Sequence, residues 1–147
     1  MDHLRRGAAA GLLAGLVVAL LFFVDYGPGT NLSTIARWFA LDGKGNDRLI
    51  GFILLLALGA VFGVLFGAVA GRWAATLSRS ILAGLVTGVI WWAGIVWLLG
   101  TVIRHGHQSP YGVMLFFMSS LLYGLVLGSL YGKWASRNVS RVQESRL

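Results

Sequence analysis

Residues 59–75 read GAVFGVLFGAVAGRWAA, from Gly59 to Ala75, and set Gly59, Gly63, Gly67 and Gly71 at strict four-residue intervals in an otherwise apolar run. Four residues is close to one helical turn, so on a helix these glycines form a smooth groove along one side. In water each would destabilise the helix by about 1 kcal/mol relative to alanine. In a bilayer the same groove lets two backbones approach closely, and close packing is what holds membrane helices together. The spacing recurs at Gly7, Gly11 and Gly15, at Gly84 and Gly88, and at Gly124, Gly128 and Gly132, so four runs take twelve of the 21 glycines. The pattern predicts an all-α polytopic membrane protein packed through glycine zippers.

Composition points the same way. Of 147 residues, 57% are hydrophobic and only 12% charged, and the mean hydropathy is +0.78. A hydrocarbon core of about 30 Å needs roughly 20 residues of helix. Spans are expected over residues 4–24, 49–70, 81–103 and 111–131, none with an ionisable side chain in its middle. They leave room for one membrane domain, 1–147, and no other module. Arg5 and Arg6 ahead of the first span resemble the start of a secretion signal. However, the apolar run is long and continues into Val24-Asp25-Tyr26-Gly27-Pro28 without a small-x-small cleavage site, so it is expected to persist as a helix. With no cysteine, disulfides, thiolate catalysis and iron–sulfur ligation are excluded.

Charge sets the expected orientation. Arg5, Arg6, Arg72, Arg79, Lys133, Arg137, Arg141 and Arg146 lie on the side of the termini, with only Asp2 and Glu144 against them. The opposite side has Arg37, Lys44, Arg48 and Arg104, offset by Asp25, Asp42 and Asp47. The positive-inside rule then puts both termini in the cytoplasm, here of a bacterial inner membrane. The net charge of +7 is accounted for by this asymmetry and by attraction to anionic lipid, with no nucleic-acid partner expected.

The chain also repeats itself. Shifted by 61 residues, Gly59–Ala75 lies over SLLYGLVLGSLYGKWAS, Ser120–Ser136, matching three glycines, Trp73 with Trp134, and Arg72 with Lys133. Shifted by 73, LRRGAAAGLLAG from Leu4 lies over LSRSILAGLVTG from Leu77, pairing Arg6 with Arg79, Gly11 with Gly84 and Gly15 with Gly88. Two tandem helical hairpins are expected, related by an axis along the membrane normal. Their main difference is the first external loop, where residues 32–41 read as a short helix lying in the outer interface.

All four glycine runs fall in the half of the membrane nearest the termini, while Phe22, Phe23, Phe52, Trp91, Trp92, Trp97, Phe116 and Phe117 fall in the other half. A bundle pinched at one end and splayed at the other follows. Aromatic side chains are expected to fill the splay. No cofactor is required, although a bound lipid, quinone or pigment would fit there.

Candidate chemistry is sparse. Asp25 and Arg104 end the first and third spans on the same outer side and are placed to form an ion pair, which at a wet interface serves anchoring. His105 and His107 flank Gly106, but two imidazoles fall short of the three or four ligands of a stable metal site, so no metal is expected. Thr87, Ser119, Ser120 and Ser129 are expected to bond back to helix carbonyls or across helices. Trp73 and Trp134 read as inner interface anchors and Trp38 as an outer one. There is no Ser/His/Asp set, intramembrane carboxylate pair or phosphate loop, so no enzyme is expected and ion-coupled transport is disfavoured.

The stretch LYGLVLGSLYG, Leu122–Gly132, resembles small four-helix bacterial inner-membrane proteins of the YagU-like kind. The resemblance covers the hairpin architecture and carries over no catalytic residue. It departs at Ser119 and Ser120, where those proteins are expected to have a histidine before the leucine–tyrosine–glycine element. The expected role is a structural or accessory subunit of a larger membrane complex, such as a bioenergetic one, in contact with lipids and other integral subunits. The alternative is a self-assembling channel or small transporter, that is, a homo-oligomer.

Overall fold

A computed structural model describes residues 2–24, 32, 36, 46–70, 73, 76–101 and 110–144. Through them run four helices, α1 (Asp2–Val24), α2 (Asp47–Ala70), α3 (Leu77–Thr101) and α4 (Pro110–Glu144). All four are long and apolar enough to cross a membrane. The protein is an all-α polytopic membrane protein.

Local chemistry explains where the helices depart from the expected spans. Asn46 caps α2, its side-chain oxygen accepting from the Leu49 N–H at 3.3 Å, so that helix starts before the apolar run does. Pro110, whose fixed φ suits a first helical position, opens α4. Helix α4 runs on to Glu144, past the expected end at residue 131, because no glycine or proline follows Gly132. Loss of hydropathy ends a span without ending a helix. At the other extreme, α2 stops at Ala70 and its chain turns, the Trp73 N–H donating to the Ala70 carbonyl at 2.9 Å.

Helices α1 and α2 pack antiparallel along their length, as do α3 and α4, and α1 also packs along α4 while α2 and α3 barely touch. The starts of α1 and α3 therefore meet the ends of α2 and α4. Within each pair the glycines face each other's backbone. A side chain at Gly7 would strike the Gly63 carbonyl, one at Gly11 the Gly59 carbonyl, and one at Gly67 the His3 carbonyl. In the second pair, Gly84 faces the Gly124 carbonyl, Gly88 that of Ser120, and Gly128 that of Ser80.

These contacts correspond term by term if 61 is added to the α2 numbers and 77 to the α1 numbers. The first offset is the one the sequence gives for α2 and α4. The second is not: the expected shift of 73 between α1 and α3 differs from the packing register by four residues, one helical turn. Gly84 takes the place of Gly7, and Ser80 that of His3.

Candidate functional site

The four helices converge where the glycine seam of the first pair ends. Gly15 is the last of that seam and the least crowded, an added methyl lying 3.4 Å from the Gly59 Cα. Beyond it larger side chains hold the helices apart. Phe22 is buried in the core, with Leu32 from the segment between α1 and α2 and with Leu55. In the second pair Trp92 stands edge-on to Phe117 with ring centroids 5.0 Å apart.

Helix α4 joins the two pairs through a stripe one turn apart, Tyr123, Leu127 and Tyr131, all buried. The Tyr123 hydroxyl donates to the Gly59 carbonyl of α2 at 2.7 Å. A glycine there leaves its carbonyl open to a side chain from a third helix. Tyr131, only 1% exposed, pairs its hydroxyl with His3 Nδ1 of α1 at 3.0 Å and meets Phe66 of α2 edge-on at 5.3 Å. Ser80 of α3 donates to the Gly128 carbonyl at 2.8 Å, crossing between helices. Thr87, Ser119 and Ser120 bond back to the carbonyls of Ala83, Leu115 and Phe116 in their own helices.

Between these contacts lies a cavity of about 20 Å³, near the middle of the spans and touched by all four helices. Val18, Leu58, Phe62, Trp91, Phe116 and Tyr123 form most of its wall, and Ser119 and Ser120 bring hydroxyls to it. Phe62 and Trp91 close the side between α2 and α3, edge to face with centroids 3.9 Å apart.

The expected glycines Gly7, Gly11, Gly15, Gly59, Gly63, Gly67, Gly84, Gly88, Gly124, Gly128 and Gly132 all meet a neighbouring helix. Gly71 lies outside the described residues, as do Asp25, Arg104, Trp38, His105 and His107. Of the segment 32–41 only Leu32 and Ala36 are described, one turn apart, helical and buried. Trp73 and Trp134 part company: Trp73, beyond the end of α2, is 81% exposed, whereas Trp134, carried on by α4, packs against the core. Among the described residues no group of three His, Asp or Glu comes together. Sequence reasoning missed His3, Ser80 and the two tyrosines as partners across helices. The eight-residue repetition of Leu-Tyr-Gly at Leu122–Gly124 and Leu130–Gly132 was the available signal for the tyrosines.

The profile of a family of unknown function, DUF6789, matches residues 1–142. The chain belongs to that family. The DUF6789 match reaches from the start of α1 into the last turn of α4, so it takes in both helix pairs together and not a single hairpin. No curated protein and no solved structure matches the chain.

Proposed function

We propose that this DUF6789 protein is a non-catalytic structural subunit of a larger integral membrane complex, with α2 and α3 turned toward partner helices and lipid. One observation carries the reading. In the most apolar 18 residues of each helix, burial takes 44% in α1 and 33% in α4 but 28% in α2 and only 17% in α3. The interior is taken up by backbone contacts and hydroxyl–carbonyl bonds, which leave the two outer helices to present apolar side chains such as Ile53, Val61, Leu82 and Ile90. A channel through one chain would need the reverse, a polar passage between helices that are kept apart.

The same reading makes the two pairs tandem repeats of a glycine-zipper hairpin, supported by their matching contacts. It puts both termini in the cytoplasm of a bacterial inner membrane, supported by the excess of basic residues at that end. Extraction in mild detergent followed by native mass measurement tests the role. Stable co-purification with different membrane polypeptides is expected. A monomer carrying lipid alone, or a homo-oligomer that passes ions in liposomes, overturns it, the second in favour of a channel.

A further inference from the structure

The central cavity and the thin contact between α2 and α3 belong together. Elsewhere around the bundle, neighbouring helices pack along their length, but here the closure rests on Phe62 and Trp91 meeting edge to face. On either side of that contact Val61 and Leu65 of α2 and Val89 and Ile90 of α3 face outward. In a membrane those residues touch hydrocarbon chains. The cavity is therefore separated from surrounding lipid by one aromatic pair.

Its chemistry suits hydrocarbon. The three hydroxyls in the wall already direct their protons to backbone carbonyls, Ser119 to Leu115, Ser120 to Phe116 and Tyr123 to Gly59. An entering molecule would meet apolar surface and occupied donors. A buried water usually makes about three hydrogen bonds; it could donate to these hydroxyl oxygens but would find none of their protons free to accept. Left empty, the wall forfeits dispersion contacts, which a methyl or methylene group restores without any dehydration step. Depth fits as well. Gly15, Leu58 and Phe62 sit near the middle of their spans, and the middle of a bilayer is where acyl chains end.

We infer that the seam between α2 and α3 is an acyl-chain site. The end of one phospholipid chain enters beside the Phe62–Trp91 contact and seats its terminal methyl in the cavity against Gly15, Val18 and Gly59. A cavity of about 20 Å³ leaves room for a chain end only. The site is independent of the subunit role proposed above, and its test requires no partner.

The probe is phosphatidylglycerol carrying a diazirine at the end of one acyl chain, diluted into liposomes of ordinary phospholipid that hold the full chain. After irradiation, adducts are mapped by peptide mass spectrometry. Outward residues such as Ile53 and Val61 will be labelled in any event and serve as the internal control. Adducts are expected also on Val18 and Tyr123, which are 5% and 7% exposed, saturating as the probe fraction rises. Leu58→Trp, which fills the cavity from α2, should abolish those two adducts and leave Val61 labelled, while Val61→Trp should leave Val18 and Tyr123 labelled. Adducts confined to outward residues overturn the inference. So does labelling of Val18 and Tyr123 that grows in proportion to the probe without saturating, a reading that needs no variant to fold. Recovery of an isoprenoid lipid in place of phospholipid from the purified protein also overturns it.

Discussion

Alanine at Gly11 places a methyl where α2 already is. An added Cβ would lie 2.6 Å from the Gly63 Cα and 2.9 Å from its nitrogen, besides meeting the Gly59 carbonyl. Carbon atoms in contact prefer about 3.5–4.0 Å, so α1 and α2 must part locally by about 1 Å. A gap of that size forfeits roughly a quarter to a half of each contact, worth about 0.15 kcal/mol. If the seam makes on the order of 50 such contacts, comparable to one buried leucine, the loss is about 2–4 kcal/mol. Alanine's helix preference returns about 1 kcal/mol, leaving a net cost of about 1–3 kcal/mol. Gly15→Ala is the contrast, because its methyl finds nothing nearer than 3.4 Å. Gly94→Ala is a second, since its methyl meets nothing within 4 Å. Both should be neutral or stabilising by up to about 1 kcal/mol. Unfolding free energies from steric trapping in bicelles, with circular dichroism to check helix content, would rank the three. If Gly11→Ala costs no more than Gly15→Ala or Gly94→Ala, the glycines do not serve backbone approach and the packing argument fails.

Tyr123→Phe removes a bond between helices but leaves the Gly59 carbonyl in its own helical ladder, so the expected loss is about 0.6 kcal/mol and at most about 1.7 kcal/mol in the same unfolding assay. Trp92→Phe should behave oppositely, because the indole Nε1 is buried without a partner. Relief of an unpaired donor, about 1–3 kcal/mol, offsets the lost ring volume, and a net loss above about 2 kcal/mol would mean that the N–H has a partner. The absence of cysteine makes single-cysteine labelling direct. Asn46→Cys should react with an impermeant maleimide in intact cells and Ser78→Cys only after permeabilisation, and the reverse pattern would invert the proposed orientation. Ser80→Gly should let α3 slip one turn, about 5.4 Å, against α4. Spin labels at Leu82 and Leu125, both on exposed faces, would then report a second distance population, and a single unchanged one would remove Ser80 as the register lock.

Much of the architecture was legible because one cause dominates it. In a membrane, close helix approach needs small residues at turn spacing, and that need is visible in Gly7–Gly15, Gly59–Gly67, Gly84–Gly88 and Gly124–Gly132 without any structure. What joins the two pairs was less legible. Tyr123 and Tyr131 look like ordinary members of an apolar helix, and their hydroxyl partners, Gly59 and His3, are 64 and 128 residues away in the chain. Nor does the sequence reveal that Trp73 and Trp134, matched in alignment, end in different surroundings. That outcome depends on whether the helix continues, and the cue is the turn after Ala70 against unbroken helix after Gly132.

The register of the second pair shows where sequence likeness misleads, and why. A run of glycines with a period of four matches itself after a shift of four, so the glycines alone, two matched pairs at either offset, do not separate 73 from 77. Arg6 with Arg79 and Leu4 with Leu77 tip the alignment toward 73. Packing weighs a different residue. With an offset of 73, Ser80 would occupy the place of Gly7, where any Cβ runs into the carbonyl of the facing helix. A one-turn slip puts Gly84 there instead and moves Ser80 to the place of His3, the first position of the seam, where a side chain is accommodated. There its hydroxyl reaches the Gly128 carbonyl at 2.8 Å. The charged residues that dominate the alignment lie outside the seam and have no say in how closely the backbones approach. Register is thus decided by the one side chain that cannot fit, and Ser80 both forbids the aligned register and holds the slipped one.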